Sequence, residues 1–339
     1  MKIPEVIKPF LRDSFHYFGS YIDPRLYKNW KGTAIILGYH RIIPDQEFDK
    51  VYGPYRNLSI SVNRFRDQMH FIKENYDVVS MDEIYKNLIE GNSAFKVAVT
   101  FDDGYRDNLL HALPVLEEFK IPATIYCVSR FPEGDTRAWW FDLWDEIQQR
   151  EKLEINEIGK IKQFPCSSLK EQIQSYKNLS NILIFSTPNK IWVRLNELKG
   201  GKPMREYPHL FLNWDEIKQL SENKLITIGA HTHSHPNMHL CSEIELRDEI
   251  FNCKNLLESK LGVEVKHFAY PFGGKGQVSE REIEIVQKTG FSTAVTTYSK
   301  PINKTNFFTL PRQFPHQKTL RNHLENRLNG WNHIFQIQA

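Results

Sequence analysis

KVAVTFDDGY, residues 96–105, is the stretch on which the reading of this chain turns. Its first six residues form a short run with two valines, an alanine and a phenylalanine, the pattern of a strand buried on both faces of a parallel sheet. Asp102, Asp103 and Gly104 follow at once. Two adjacent carboxylates at the exit of a buried strand repel each other, and one pKa rises unless a cation intervenes. A metal beside the pair resolves the conflict. The plain alternative is a DDG turn.

Runs of the same kind lie on both sides. AIILGY (residues 34–39) precedes it, and ATIYCV (123–128), LITIG (225–229), KHFAYP (266–271) and FSTAVTT (291–297) follow. Between them are helical stripes. Val62, Phe65, Met69 and Ile72 make one, and Leu109, Leu113 and Leu116 make another. Leu246, Ile250, Cys253 and Leu257 make a third, with Gly262 as its C-cap. Strands alternating with helices predict βα units in a right-handed parallel sheet or barrel. Residues 130–211 break the rhythm. An aromatic cluster (Trp139, Trp140, Phe141, Trp144) opens a Lys/Glu/Asn-rich stretch there. It reads as a largely helical insertion whose aromatics serve as a lid, as a membrane-facing surface or as an anchor to the barrel.

A second polar cluster closes the strand at 225–229. AHTHSHP (residues 230–236) holds three histidines in five positions, and imidazole is a usual ligand for zinc and similar ions. Pro236 argues against a regular helix, so a bent loop must bring ligands together. The alternative is a polar loop with chance histidines; His239 lies beyond it and is expected to be exposed. Two histidines and one aspartate form a standard three-ligand set that leaves a position open for water. Strand ends of one parallel sheet share a mouth, where α/β barrels place their active sites.

The 339 residues carry a formal charge of +3, with 40% hydrophobic and 25% charged residues, as in globular proteins with a sizeable core. No Lys/Arg-rich run accompanies that small charge, so no nucleic-acid partner is expected. Cys127, Cys166, Cys241 and Cys253 form no CxxC pair and are read as buried free thiols. The N-terminus lacks the apolar core of a signal peptide, and no run of 18 apolar residues occurs. The protein is therefore expected in the cytoplasm. Its first 30 residues mix Lys2, Lys8, Arg12 and Arg25 with Phe10, Phe15, Tyr17, Phe18 and Tyr21. They read as an extra helix packed on the domain, or else as a peripheral membrane contact. The expected organisation is a helical extension at 1–32, one domain at 33–325 with its insertion, and a tail at 326–339.

TFDDGY (residues 100–105) and AHTHSHP resemble the first two motifs of the polysaccharide deacetylases, the NodB-homology or carbohydrate esterase 4 family. The resemblance implies a distorted (β/α)7 barrel acting on carbohydrate. It implies Asp102 as general base and Asp103, His231 and His235 as ligands of a divalent ion, zinc foremost, with His233 a non-ligand spacer. FAYPFGG (268–274) stands where many members have Arg-Pro-Pro-Tyr; Ala269 replaces the arginine and Phe272 the tyrosine. The Phe272 N–H is then the implied oxyanion donor. Arg312, in LPRQF, either fills the space of the missing arginine in the active site or makes a surface ion pair. Tyr39-His40-Arg41 resembles a segment of the subgroup acting on β-1,6-linked poly-N-acetylglucosamine and related exopolysaccharides, which implies His40 as general acid. A structural histidine in the mouth is the alternative, and His316 is the second candidate acid. Tyr105, Tyr270 and the Phe272 ring either face the sugar or belong to the core. The implied reaction is hydrolysis of an acetamide on an amino sugar. A non-catalytic carbohydrate-binding relative and an O-acetyl esterase are the competing readings.

Overall fold

The computed structural model describes residues 32–92, 94–157, 160–300, 302 and 306–328. The expected N-terminal helix and nearly all of the tail lie outside them. Seven parallel strands form the central sheet: β1 (Ala34–Tyr39), β2 (Lys96–Phe101), β3 (Ala123–Cys127), β4 (Ile226–Ala230), β5 (His267–Ala269), β6 (Thr293–Val295) and β7 (Arg312–Gln313). Their order is β6-β5-β4-β3-β2-β1-β7. A parallel bridge between Val295 and Leu310, two residues before β7, brings the two edges together. The result is a nearly closed, distorted (β/α)7 barrel, as expected. An eighth short strand, Asp77–Val78, pairs with the start of β2 along the edge that β3 occupies further on.

Alternation along the strands divides the core. Ile35, Leu37, Tyr39, Val97, Val99 and Phe101 face the helical layer, while Ala34, Ile36, Ala98, Tyr126 and Ala269 join a separate inner cluster. Tyr126 is the one aromatic ring of that inner cluster. A Cβ on Gly229 would lie 2.4 Å from that ring, so β4 passes it only as glycine. The helices bury the anticipated stripes. Phe65, Met69 and Ile72 on Val62–Asn75 are fully buried, as are Leu246, Ile250, Cys253 and Leu257 on Glu243–Leu261. The second of these starts with a Ser242/Glu245 capping box and ends at left-handed Gly262. All four cysteines are buried and free. Among the described residues no helix is long and apolar enough to cross a membrane.

The insertion is largely helical, with one addition to the expectation. Helices Trp139–Ile147, Leu169–Ile184 and Pro188–Leu198 are present, but an antiparallel hairpin, Lys152–Glu157 with Lys160–Pro165, stands between them. The insertion has its own apolar core, to which Leu153, Ile155 and Phe164 of the hairpin contribute. Buried charges tie it together. Asp142 accepts from Lys199 Nζ at 2.6 and 2.7 Å and from Arg205 Nη1 at 2.7 Å, and Arg205 Nη2 reaches Glu146 at 3.2 Å. The aromatic cluster is no membrane-facing surface: Trp139, Trp140 and Trp144 are 4%, 7% and 1% exposed, because they pack the insertion onto the barrel mouth.

Candidate active site at the barrel mouth

The strand exits bring the polar motifs together. Asp103 follows β2, and His231 and His235 follow β4. Asp103 Oδ1 lies 3.3 Å from His231 Nε2 and 3.3 Å from His235 Nε2. All three residues are buried, yet Asp103 Oδ1 has no hydrogen-bond partner. That orphaned oxygen between two imidazole nitrogens fits a divalent cation: tetrahedral ligands at about 2.0 Å from an ion lie about 3.3 Å apart. His231 Nδ1 meets Ala269 O at 2.8 Å, which fixes the proton there and leaves Nε2 free to ligate. Burial pushes His235 towards its neutral, ligating form. For Asp103, burial opposes ionisation, but the two imidazoles outweigh it and hold the carboxyl well below the usual carboxylate range.

The neighbouring carboxylate has a different environment. Both oxygens of Asp102 accept from one guanidinium, Arg312 Nη1 at 2.6 Å and Nη2 at 2.7 Å. Burial again opposes the charge, and Arg312 prevails, keeping Asp102 below its ordinary value. Arg312 also donates to Thr296 O at 3.2 Å and is wholly buried, so it is neither a surface ion pair nor a residue of the cleft wall. The active-site alternative is the one that fits: Arg312 holds Asp102 from inside the barrel and does not reach the cleft as a substrate contact. His40 Nε2 stands 4.0 Å from Asp102 Oδ2, with its side chain one quarter exposed.

These groups open into a cleft of about 500 Å³. His40, Asp102, Asp103, His231, His235 and Phe272 line it, with Trp139, Trp140, Tyr176 and Ile184 of the insertion opposite Phe314 and His316. The His235 ring lies between Trp140 (centroids 5.1 Å apart) and Phe272 (5.0 Å). Tyr105 and Tyr270 are not in the wall. Tyr105 stacks on Phe211 at 5.1 Å, and the Tyr270 hydroxyl donates to Phe308 O at 3.1 Å; both are core residues beneath the mouth, which corrects their substrate-facing reading. His233 turns aside to Ser129 Oγ at 3.0 Å, and His239 is about half exposed.

Three participants carried no recognised signal. Glu249, from the helix Glu243–Leu261, accepts from Ser234 N at 2.7 Å and from Ser234 Oγ, clasping the histidine loop. Asp107 and Asn108 bond the backbone around His40. The last two stand in the same YRDN run as the first motif, and their polarity amid Leu109, Leu113 and Leu116 was the available clue.

A parallel barrel with an Asp-His-His triad and a second, arginine-held aspartate at its C-terminal mouth defines a hydrolase-type site. A model of the polysaccharide deacetylase family matches residues 90–160 and 173–294, more than half of the chain. The protein belongs to the polysaccharide deacetylase family, and is a deacetylase-type hydrolase. Its fold is similar to that of deacetylase PplD from Streptococcus pyogenes, solved with acetate (16% identity, TM-score 0.57, 87% of this chain and 97% of that one). It is likewise similar to a de-N-acetylase from Aggregatibacter actinomycetemcomitans (16%, TM-score 0.59, 87% and 99%). IcaB from Ammonifex degensii is a third (17%, TM-score 0.56, 88% and 97%). No curated protein matches the chain by sequence.

Proposed function

We propose that the protein removes the N-acetyl group from an amino-sugar residue, with a divalent ion, zinc first among candidates, held by Asp103, His231 and His235. The observation that carries this reading is the convergence of that triad with Asp102 and His40 on one cleft. When bound, the ion supplies Lewis acidity, lowering the pKa of water towards about 7 and polarising a carbonyl. Asp102, kept ionised and oriented by Arg312, accepts a proton from the water that attacks the acetyl carbon. The Phe272 N–H donates to the acetyl oxygen as it gains charge; a donor of this kind is typically worth about 10²–10³ in rate. His40 hands a proton to the nitrogen as the C–N bond breaks, giving acetate and a free amine.

A cleft of this volume is the size of a small-molecule site, and the insertion walls one side of it. That favours a short saccharide, a chain end or a lipid- or nucleotide-linked precursor over the middle of a long polymer. The test is acetate release from an N-acetylglucosamine oligomer, with and without chelation and zinc restoration, beside Asp102→Asn. Zinc-restorable release that the variant abolishes is the expected result. A wild type that neither binds a divalent ion nor releases acetate would refute the reaction and favour a binding role.

A further inference from the structure

His40 occupies the single residue between β1 and the short strand Arg41–Ile43. A side chain on so brief a link keeps its place only if the peptides on either side are held. Leu58 O accepts from Arg41 N at 3.0 Å, and the remaining bonds come from the segment that carries the base and a metal ligand. Tyr39 O accepts from Asp102 N at 2.9 Å. His40 O accepts from Asn108 Nδ2 at 2.8 Å. Asp107 Oδ1 accepts from Ile42 N at 2.9 Å, and its Oδ2 from Arg41 Nε at 2.8 Å. Asn108 Nδ2 also lies 3.3 Å from Asp107 Oδ1, so the two side chains form one unit.

Asp107 and Asn108 are 7% and 1% exposed, and neither lines the cleft. Asn108 begins a π-helical turn, Asn108–Ala112, of the kind often found at functional sites. A buried carboxylate and a buried amide spent on one strand end have a narrow purpose: they fix where the following backbone, and the imidazole upon it, can sit.

We propose that Asp107 and Asn108 are positioning residues, which act through His40 by holding its backbone so that the imidazole stays 4.0 Å from Asp102. The proposal rests on the reading of His40 as proton donor. Misplacing a catalytic group by about 1 Å can cost about 10² in rate. Asn108→Ala is therefore expected to lower kcat roughly 10- to 100-fold, with KM and zinc affinity unchanged.

The experiment is a double-mutant cycle on the zinc-loaded full chain, measuring kcat and KM for wild type, Asn108→Ala, His40→Ala and the double variant. Positioning through His40 requires that Asn108→Ala change kcat by less than about threefold once the imidazole is gone, the signature of strongly coupled residues. Losses that multiply, or an Asn108→Ala enzyme as fast as wild type, would overturn the proposal. Asp107→Asn, which keeps the shape, runs in a parallel cycle should Asn108→Ala fail to fold, and the same criteria apply. If His40→Ala retains full kcat, the acid assignment falls and this proposal with it; zinc-restorable acetate release by wild type remains the separate check on the reaction.

Discussion

Four residues of the site adopt left-handed backbone conformations without being glycine: Asp103 (φ 71°), Thr232 (62°), His235 (59°) and Phe272 (61°). Such conformations cost on the order of 1–3 kcal/mol each, and they persist where surrounding bonds over-determine them. For three of the four, such bonds are present. Thr232 Oγ1 accepts from His235 N at 3.0 Å, Thr297 Oγ1 donates to Phe272 O at 2.8 Å, and Glu249 clasps Ser234. Removing the clasp should loosen the ligand loop: Glu249→Ala is expected to weaken zinc binding about 10- to 100-fold. Competition against a chelating dye measures it, and an unchanged affinity would dismiss the clasp. Arg312 makes a second residue-scale case. Lysine keeps the charge but cannot match both oxygens of Asp102, so Arg312→Lys should lower kcat roughly 10²-fold. Arg312→Ala leaves a buried carboxylate unpaired, which costs about 3–5 kcal/mol and would appear in denaturant unfolding. The sign with pH follows from the lowered Asp102 pKa. The pair contributes stability above the ordinary carboxylate range and loses it as pH falls through the lower folded value. The stability gap between wild type and Arg312→Ala should therefore be fully open at pH 7 and narrow in acid.

At the scale of elements, one of the contacts that fasten the insertion is a close approach of Trp144 to backbone. Gly53 has φ 57°, and a Cβ there would lie 2.4 Å from the Trp144 ring. Gly53→Ala thus meets both backbone strain and overlap, each worth about 1–3 kcal/mol. Lower thermal stability and faster proteolysis of 139–198 are the expected outcome; an unaltered digest would show that Trp144 docking tolerates the methyl group. The elements differed in how far they could be read from the chain. Helices such as Val62–Asn75 and Glu243–Leu261 were legible because one apolar stripe repeats over several turns. The hairpin Lys152–Glu157/Lys160–Pro165 was not: Leu153 and Ile155 do alternate with polar residues in the first strand, but only over six residues, and the second strand breaks the alternation at Lys162-Gln163. Strand β7 was missed because two residues are too few to show a period.

Across the whole molecule, the site draws on the ends of separate strands: His40 after β1, the aspartate pair after β2, the histidines after β4, Phe272 after β5 and Arg312 on β7. The contiguous pieces, DDG and HTHSH, could be read because a strand exit concentrates them. Partnerships across distance, such as Arg312 with Asp102 at 210 residues' separation, exist only once β7 has paired with β1 beside β2. The same geometry predicts how the proposed metal ion would be linked to the fold. The triad is built on strands held by a complete core, so chelation should leave the circular dichroism spectrum intact while abolishing acetate release. Rebinding should raise the melting temperature, since a ligand at 100 times its Kd adds about 2.7 kcal/mol. Asp103→Ala should abolish that rise. Activity that survives thorough chelation would remove the ion from the chemistry; a chelated protein that unfolds would instead make the ion part of the scaffold, and the strand-end triad a structural centre.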